Sequence, residues 1–459
     1  MLNEAHLIAL SAIVGASHVS AGESVRNLHS RDQSPHAAHL PDVVVWPERT
    51  EEVSSVASYA NEHRISMTGW GAGSSLEGNP IPVKGGIVID FGRMNRIRAI
   101  YAEDFQATVQ PGIFYRDMNK VLGRHGLFFA PDPGANASIG GMIANNAAGT
   151  RTPKYGATRD NVLALEVVLA NGDVIRTGSR SVKQSAGYDL THLFVGSEGT
   201  LGLITEATLK LAPLPEHFSA AIASFPTTEA AAQAVFHIMA SGLDPAALEL
   251  LDTATVAALN EAGQLDLSVA PTLLLEFHGA SDATLAVEMD LVKGVCEESG
   301  CRTFTPGLGR DARDRLWEAR HCLGALLLRA YAGQGYLITD VAVPISQYPA
   351  LVAEASEALR GLDGVKGFIF GHAGDGNMHT LIVFPNTKPD YERLERAFND
   401  RVVEKALLLG GTCTGEHGVG IGKQKYMRLE HGETAMNVMR RLKAFFDPRG
   451  ILNPGKVVS

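Results

Sequence analysis

A chain of 459 residues is too long for one ordinary hydrophobic core, so two or three domains are expected. With 45% hydrophobic and 20% charged residues it has the profile of a water-soluble globular protein, and a net charge of −10 without any lysine- or arginine-rich run argues against a nucleic-acid partner. Cys296, Cys301, Cys322 and Cys413 contain no CxxC pair, which argues against a zinc ribbon or an iron–sulfur cluster and fits a reducing compartment.

Taken in chain order, residues 7–14 are apolar but too few to span a bilayer. Glu4 precedes them and no Lys or Arg does, so they predict an amphipathic first helix and not a secretory signal. Residues 17–40 are polar and predict an irregular lead-in. A strand follows at 43–45. Thr50 is expected to cap a helix with Glu51 and Glu52 in its first turn and Val53, Val56, Ala57 and Ala60 on its inner face. Strands are expected at 65–67 and 86–90, and strands broken by glycine loops dominate to about 213. Pro213 and Pro215 mark a change of style. Beyond them, a helix at 229–239, a strand at 272–277 and a helix at 283–296 predict helices packed on an antiparallel or mixed sheet. No segment reads as transmembrane, so membrane association would be peripheral and the expected location is cytoplasmic.

The glycines carry the first chemistry. Gly71, Ala72, Gly73, Ser74 and Ser75, closed by Gly78, follow a strand, where small residues let backbone N–H groups approach a phosphate. The loop is neither a Rossmann fingerprint nor a P-loop, which disfavours nicotinamide and ATP. Three further runs offer donors with little bulk. The first holds Pro131 and Asp132 and continues to Ser138, Gly140 and Gly141. The second runs from Asn145 to Gly149, and the third from Gly196 through Gly199 and Ile204 to Thr205. A large, flat, phosphate-bearing cofactor lying along several loops would need such a set. The strings GAGSSLEG, PDP with SIGG, NNAAG and SEGTLGLIT resemble the FAD-binding domain of vanillyl-alcohol oxidase and p-cresol methylhydroxylase relatives. The resemblance implies two α+β subdomains holding FAD, with its pyrophosphate on the Gly71–Ser75 loop. Relatives that attach flavin covalently do so through His or Cys near these loops. Residues 71–78 and 131–141 contain neither, so non-covalent FAD is expected.

The second chemistry lies near the C-terminus. Two apolar runs flank Asp375–Gly376, which predicts a hairpin with His372 and His379 symmetric about the turn. Directly opposed imidazoles could share one metal ion. In Gly415-Glu416-His417-Gly418, Glu416 could supply a carboxylate ligand and His417 a base; the plainer alternative is a glycine turn with two surface polar residues. GHAGDGNMH and GEHGVG resemble the branch of this flavoprotein group that holds FAD-linked D-lactate dehydrogenase, the glycolate oxidase flavoprotein subunit and D-2-hydroxyglutarate dehydrogenase. That resemblance runs from about residue 40 to the C-terminus. It implies His372, His379 and Glu416 as ligands of zinc or manganese, His417 as catalytic base, Arg320 as the grip on the substrate carboxylate, and Asn453 near the flavin. Asn377 in the hairpin loop is a further candidate for substrate contact. Relatives acting on 2-hydroxyglutarate tend to carry a lysine shortly before an Asp-Val pair. Here the stretch before Asp340-Val341 has none, which favours a short monocarboxylate such as D-lactate.

The expected fold is therefore α+β: an N-terminal helix and lead-in (1–36), a two-subdomain FAD-binding domain (37–214), an α+β substrate and metal cap (215–414) and a returning C-terminal segment (415–459). The expected reaction oxidises a small D-2-hydroxy acid, D-lactate or alternatively glycolate or D-2-hydroxyglutarate. His417 takes the hydroxyl proton and flavin N5 the hydride. A quinone, cytochrome c, an electron-transferring flavoprotein or oxygen would reoxidise the flavin, and a homodimer is compatible with the sequence. A metal-dependent hydrolase and a non-catalytic electron-transfer subunit are the rival readings.

Overall fold

The computed structural model describes residues 2–458; Met1 and Ser459, which the expected first and last segments include, lie outside the described residues. Val43–Val45 and Met67–Trp70 both run parallel to Ile87–Asp90, and the short strand Val19–Ser20 closes the edge antiparallel to Val43–Val45. Parallel neighbours require a crossover. The helix Thr50–His63 makes the crossover from Val43–Val45 to Met67–Trp70, the strands on either side of Ile87–Asp90, and buries Val53, Val56, Ala57 and Ala60 against the sheet. The first helix, Glu4–Val14, adds Leu10 and Val14 to the same core.

Three local expectations shift. Arg49 holds the N-cap position, and the Thr50 hydroxyl donates to Glu166 Oε1 at 2.6 Å instead of capping the helix. The strand expected at 65–67 starts at Met67, because the Ile65 N–H closes the preceding helix on Ala60 O. Residues 17–40 are not wholly irregular: they hold the strand Val19–Ser20 and the helix Glu23–Leu28.

A five-stranded antiparallel sheet follows, in the order Ile97–Tyr101, Gln106–Val109, Leu203–Lys210, Val162–Val168, Val174–Gly178. The second half is built on a seven-stranded antiparallel sheet. Its order is Thr303–Pro306, His217–Ser224, Thr272–Gly279, Ala247–Leu251, Lys366–His372, Asn377–Phe384, Gly335–Ala342.

Both faces of this sheet are covered, so its strands read as nearly continuous apolar runs. Leu248, Leu250, Leu273, Leu275, Met378 and Ile382 point into a core with the helices Thr228–Ala240, Asp282–Glu298 and Tyr348–Arg360. Ala247, Leu251, Leu274, Phe370 and Leu381 point the other way, against Arg310–His321 and Leu323–Ala330. Strand side chains alternate. Glu249, Asp340, His372 and His379 therefore all leave the sheet on this second face.

The chain end returns to the beginning. The helical stretch Gln424–Phe446, broken at Gly432, leads to a segment in which Met67 N donates to Ile451 O and Asn453 N donates to Met67 O, both at 2.7 Å. Leu452 thus lies alongside the edge of the first parallel sheet.

Candidate functional site

The glycine loops of the first half and the histidines of the second line one continuous cavity of about 580 Å³. Gly71, Ala72, Gly73, Ser74 and Ser75 line it directly after the strand Met67–Trp70. Gly73 sits at φ +63°, and a Cβ there would lie 2.6 Å from the Trp70 ring. Gly71 is packed against Ser138, whose Oγ would stand 2.2 Å from an added Cβ. Ser138 caps the helix Ile139–Asn145, and Ser138, Gly140, Gly141 and Asn145 all line the cavity. Gly199, Ile204 and Asn453 complete the wall on this side.

Other expected cofactor contacts lie behind the wall. Gly78 packs against Ile421 and His36 and donates its N–H to Asp32 at 2.9 Å. Pro131 is buried, and the Asp132 carboxylate turns inward: it accepts from the Thr150 hydroxyl at 2.6 Å and from Arg151 N at 3.0 Å. Gly149 is pressed onto Asp132, whose carbonyl oxygen lies 2.5 Å from an ideal Cβ. These residues frame the loops; none of them is among the lining residues. The cavity also contains a histidine and a cysteine from outside the glycine loops, His321 and Cys322.

On the sheet side, His372, His379, Glu416, His417 and Arg320 line the cavity. The hairpin differs from the expected two-residue turn. Ala373–Asp375 forms a 3-10 turn with Gly376 at φ +80°, so His379 stands opposite Phe370 and His372 lies past the last paired position. The rings still meet edge to face, with centroids 5.2 Å apart. Glu416 Oε1 lies 3.3 Å from His372 Nε2 and 3.2 Å from His379 Nε2, and the three ligand atoms fall within 4.8 Å of one another. Glu416 Oε2 is buried without a hydrogen-bond partner among the described residues. Two imidazole nitrogens and a carboxylate at this spacing suit a divalent cation such as zinc or manganese. His417 stacks on His379 at 5.1 Å, and its Nδ1 has no hydrogen-bond partner among the described residues.

Asn377 is not on the cavity wall. Its amide donates to Asp340 Oδ1 at 2.7 Å and to Val341 O at 2.9 Å, because the hairpin folds it back onto the neighbouring strand. Asp340 is the centre of this arrangement. Its Oδ2 accepts the Thr414 hydroxyl and the N–H groups of Gly415, Glu416 and His417, all within 3.0 Å. Glu198 does the same from the FAD side, accepting Val419 N at 2.6 Å and Gly420 N at 2.9 Å. Asn79 donates to Glu198 at 2.7 Å and, with Asn145, to the His417 carbonyl. Glu249 pairs with both Arg320 and His372.

Sequence reasoning passed over Glu198, Asn79, Asp340 and Glu249. One signal was available: Glu249 is the lone charge in the apolar strand Ala247–Leu251, and a buried charge has to be paired.

The electrostatics follow from this packing. Burial disfavours the charged form of His372, yet Glu249 and Glu416 outweigh it and raise the imidazole pKa well above its usual value. Burial would raise Glu416, but His372 and His379 hold it well below the carboxylate range. Burial would likewise raise Asp340; His417, His379 and the loop amide overcome it and hold the carboxyl low. His417 differs from its neighbours. Burial lowers its pKa, and the attraction of Asp340 only partly opposes this. A neutral, buried imidazole beside an acidic cluster can accept a proton.

Comparison with known proteins finds matches for both halves of the chain. Residues 41–178 match the FAD binding domain family, and residues 214–457 match the family of FAD linked oxidases, C-terminal domain. A probable mitochondrial D-lactate dehydrogenase of Danio rerio is 41% identical over 451 residues, spanning 97% of this chain and 90% of its own length. The glycolate oxidase subunit GlcD of Bacillus subtilis (strain 168) is 40% identical over 453 residues, spanning 98% and 95%. The fold of p-cresol methylhydroxylase, solved with substrate bound, matches with a TM-score of 0.79 at 20% identity, over 98% of this chain and 95% of that one. A colourless metal hydrolase is incompatible with these relationships. The chain is an FAD-dependent oxidoreductase and belongs to the FAD-linked D-2-hydroxy-acid dehydrogenases, the branch of the p-cresol methylhydroxylase-type flavoproteins that holds D-lactate dehydrogenases and the glycolate oxidase flavoprotein subunit.

Proposed function

We propose that this enzyme oxidises a small D-2-hydroxy monocarboxylate, D-lactate or a close analogue, to the 2-oxo acid, with non-covalent FAD and a divalent cation held by His372, His379 and Glu416. The observation that carries this reading is the shared cavity, which joins the glycine loops to Arg320, the histidines and Glu416. When bound, FAD supplies the hydride acceptor and the cation a Lewis acid. Arg320 holds the substrate carboxylate, for which a planar guanidinium is well shaped. His417, neutral through burial, takes the hydroxyl proton as the C2 hydrogen departs with its electron pair.

Ile338 lines the cavity at the stretch where 2-hydroxyglutarate enzymes tend to carry lysine, which favours a small substrate. Leu328 and Leu381 line the cavity as well, and this apolar lining suits a methyl group better than a second carboxylate. Non-covalent flavin is supported at His321, where Nδ1 lies 2.6 Å from Trp317 O and Nε2 3.2 Å from Asp132 Oδ2, so both ring nitrogens are engaged. An external acceptor reoxidises the flavin; a quinone, cytochrome c, an electron-transferring flavoprotein and oxygen all fit that role. No helix among the described residues is long and apolar enough to cross a membrane, and the Danio rerio relative is named as mitochondrial, which speaks against the expected cytoplasmic location.

The test is anaerobic. The purified yellow protein is mixed in turn with D-lactate, L-lactate, glycolate and D-2-hydroxyglutarate, and flavin absorbance is followed. Fastest bleaching by D-lactate, abolished by a chelator and restored by zinc or manganese, is the expected result. Bleaching that survives complete metal removal would sink the cation role, and preference for D-2-hydroxyglutarate would overturn the monocarboxylate assignment. Free FAD in the supernatant after acid precipitation is expected; colour retained in the pellet would contradict non-covalent binding.

A further inference from the structure

Glu249 belongs to no glycine loop and to neither histidine motif, yet it sits where the two halves of substrate binding meet. It is fully buried in the middle of Ala247–Leu251, and the strand register sets it directly opposite His372. Glu249 Oε1 lies 2.6 Å from His372 Nδ1. Oε2 lies 2.6 Å from both Nε and Nη2 of Arg320. We propose that Glu249 is a positioning residue that sets the tautomer of His372 and the angle of the Arg320 fork together, so that cation binding and substrate-carboxylate binding depend on one side chain. The inference rests on the roles given to His372 and Arg320 under Proposed function.

The chemistry of each contact supports it. A carboxylate only accepts hydrogen bonds, so the His372 nitrogen facing it carries the proton. With Nδ1 engaged by Glu249, Nε2 is the nitrogen left beside Glu416, and a cation bound there would displace the proton that Nε2 otherwise shares with Glu416. On Arg320, the Nε–Nη2 edge is engaged by Glu249, and no protein group among the described residues bonds Nη1. One end of the guanidinium is fixed and the other is left for an anion. Phe370, two residues before His372 on the same strand face, lies under the guanidinium at 5.4 Å and limits its tilt.

A purely structural role for Glu249 would be to dock the helix Arg310–His321. The neighbouring strand supplies a control. Glu276 is also buried and holds the same helix, through Arg313 at 2.6 Å and through Trp317, but it touches neither Arg320 nor a cation-site histidine. Comparing the two carboxylates separates docking from positioning.

The experiment uses FAD-loaded wild type, Glu249→Gln and Glu276→Gln. Affinity for Mn²⁺ and Zn²⁺ is measured by competition with a coloured chelator, and KM and kcat for D-lactate by flavin reduction. A glutamine at 249 can accept from one partner only, and its NH₂ faces either His372 Nδ1 or the arginine. Cation affinity should fall about 10–100-fold. KM should rise about tenfold, with a smaller change in kcat and full FAD content. Glu276→Gln should leave both cation affinity and KM near wild type. If Glu249→Gln does not fold, Glu249→Asp, which keeps the charge but withdraws it by one methylene, is expected to weaken both by about tenfold, the lower end of the range for loss of such a partner. Unchanged cation affinity or unchanged KM in the position-249 variant overturns the coupling, as does a Glu276→Gln protein that shows the same losses. A wild-type protein that takes up neither cation overturns the reading of the site itself, and the inference with it.

Discussion

The two walls of the cavity are built on opposite principles. On the glycine side, the wall is made by leaving side chains out: Gly71 and Gly73 bring backbone close to the cavity because no Cβ is in the way. On the sheet side, the wall is made by burying charge. Glu249, Asp340 and Glu416 surround His372 and His379, and each carboxylate has named partners. Glu198 joins the two walls, since it lies in a glycine loop yet clamps the amides of Val419 and Gly420. The difference predicts how each wall fails. A steric wall yields by small strains, whereas a buried carboxylate that loses its charge leaves donors facing donors.

The largest effect should come from Asp340→Asn. The asparagine has one acceptor where aspartate has two, so its NH₂ must face either the Gly415–His417 amides or the Asn377 amide. Breaking a buried charged network costs about 3–5 kcal/mol. Substrate-driven flavin reduction should fall at least about 100-fold by stopped-flow absorbance while FAD stays bound. Wild-type reduction rates in this variant would break the contrast between the walls.

A smaller effect tests buried charge away from the chemistry. Burial would raise the Glu276 pKa, but Arg313 and His278 outweigh it and bring the carboxyl from 4.5 down to about 2. A depressed carboxyl stabilises the fold above its unfolded pKa and loses that contribution as pH falls from about 4.5 towards 2. The shift corresponds to roughly 3 kcal/mol at neutral pH. Glu276→Gln should lower thermal stability at pH 7 and flatten its decline on the acid side. An unchanged acid limb would show that Glu276 is not held by these partners.

The glycine wall was legible because its motifs are contiguous: Gly71, Gly73, Ser138 and Gly140 sit in short strings, and the structure lines the cavity with them. The sheet wall was legible only at its motif residues. His372, His379, Glu416 and His417 were visible, whereas Glu249 and Asp340 became meaningful once register paired them with His372 and His379. Register depends on contacts between strands far apart in sequence, which a linear reading does not contain. The same limit explains Asn377 and Asp132. Both sit inside recognisable strings, but neighbouring backbone turns their side chains away from the cavity.

The smallest effect should come from Gly73→Ala, and it tests the contrast from the other side. At φ +63° an alanine carries the left-handed penalty of about 1–2 kcal/mol. Its Cβ would also meet the Trp70 ring at 2.6 Å, so the loop must shift to accept it. A shift of that size should weaken FAD about tenfold, read as a lower ratio of flavin to protein absorbance after dialysis. Cation affinity should stay at the wild-type level, because His372, His379 and Glu416 are held by the carboxylates of the other wall. Asp340→Asn is expected to show the reverse, with FAD kept and the cation weakened. If Gly73→Ala loses cation affinity in step with FAD, the two walls act as one unit, and the flavin itself must help to order the histidine cluster.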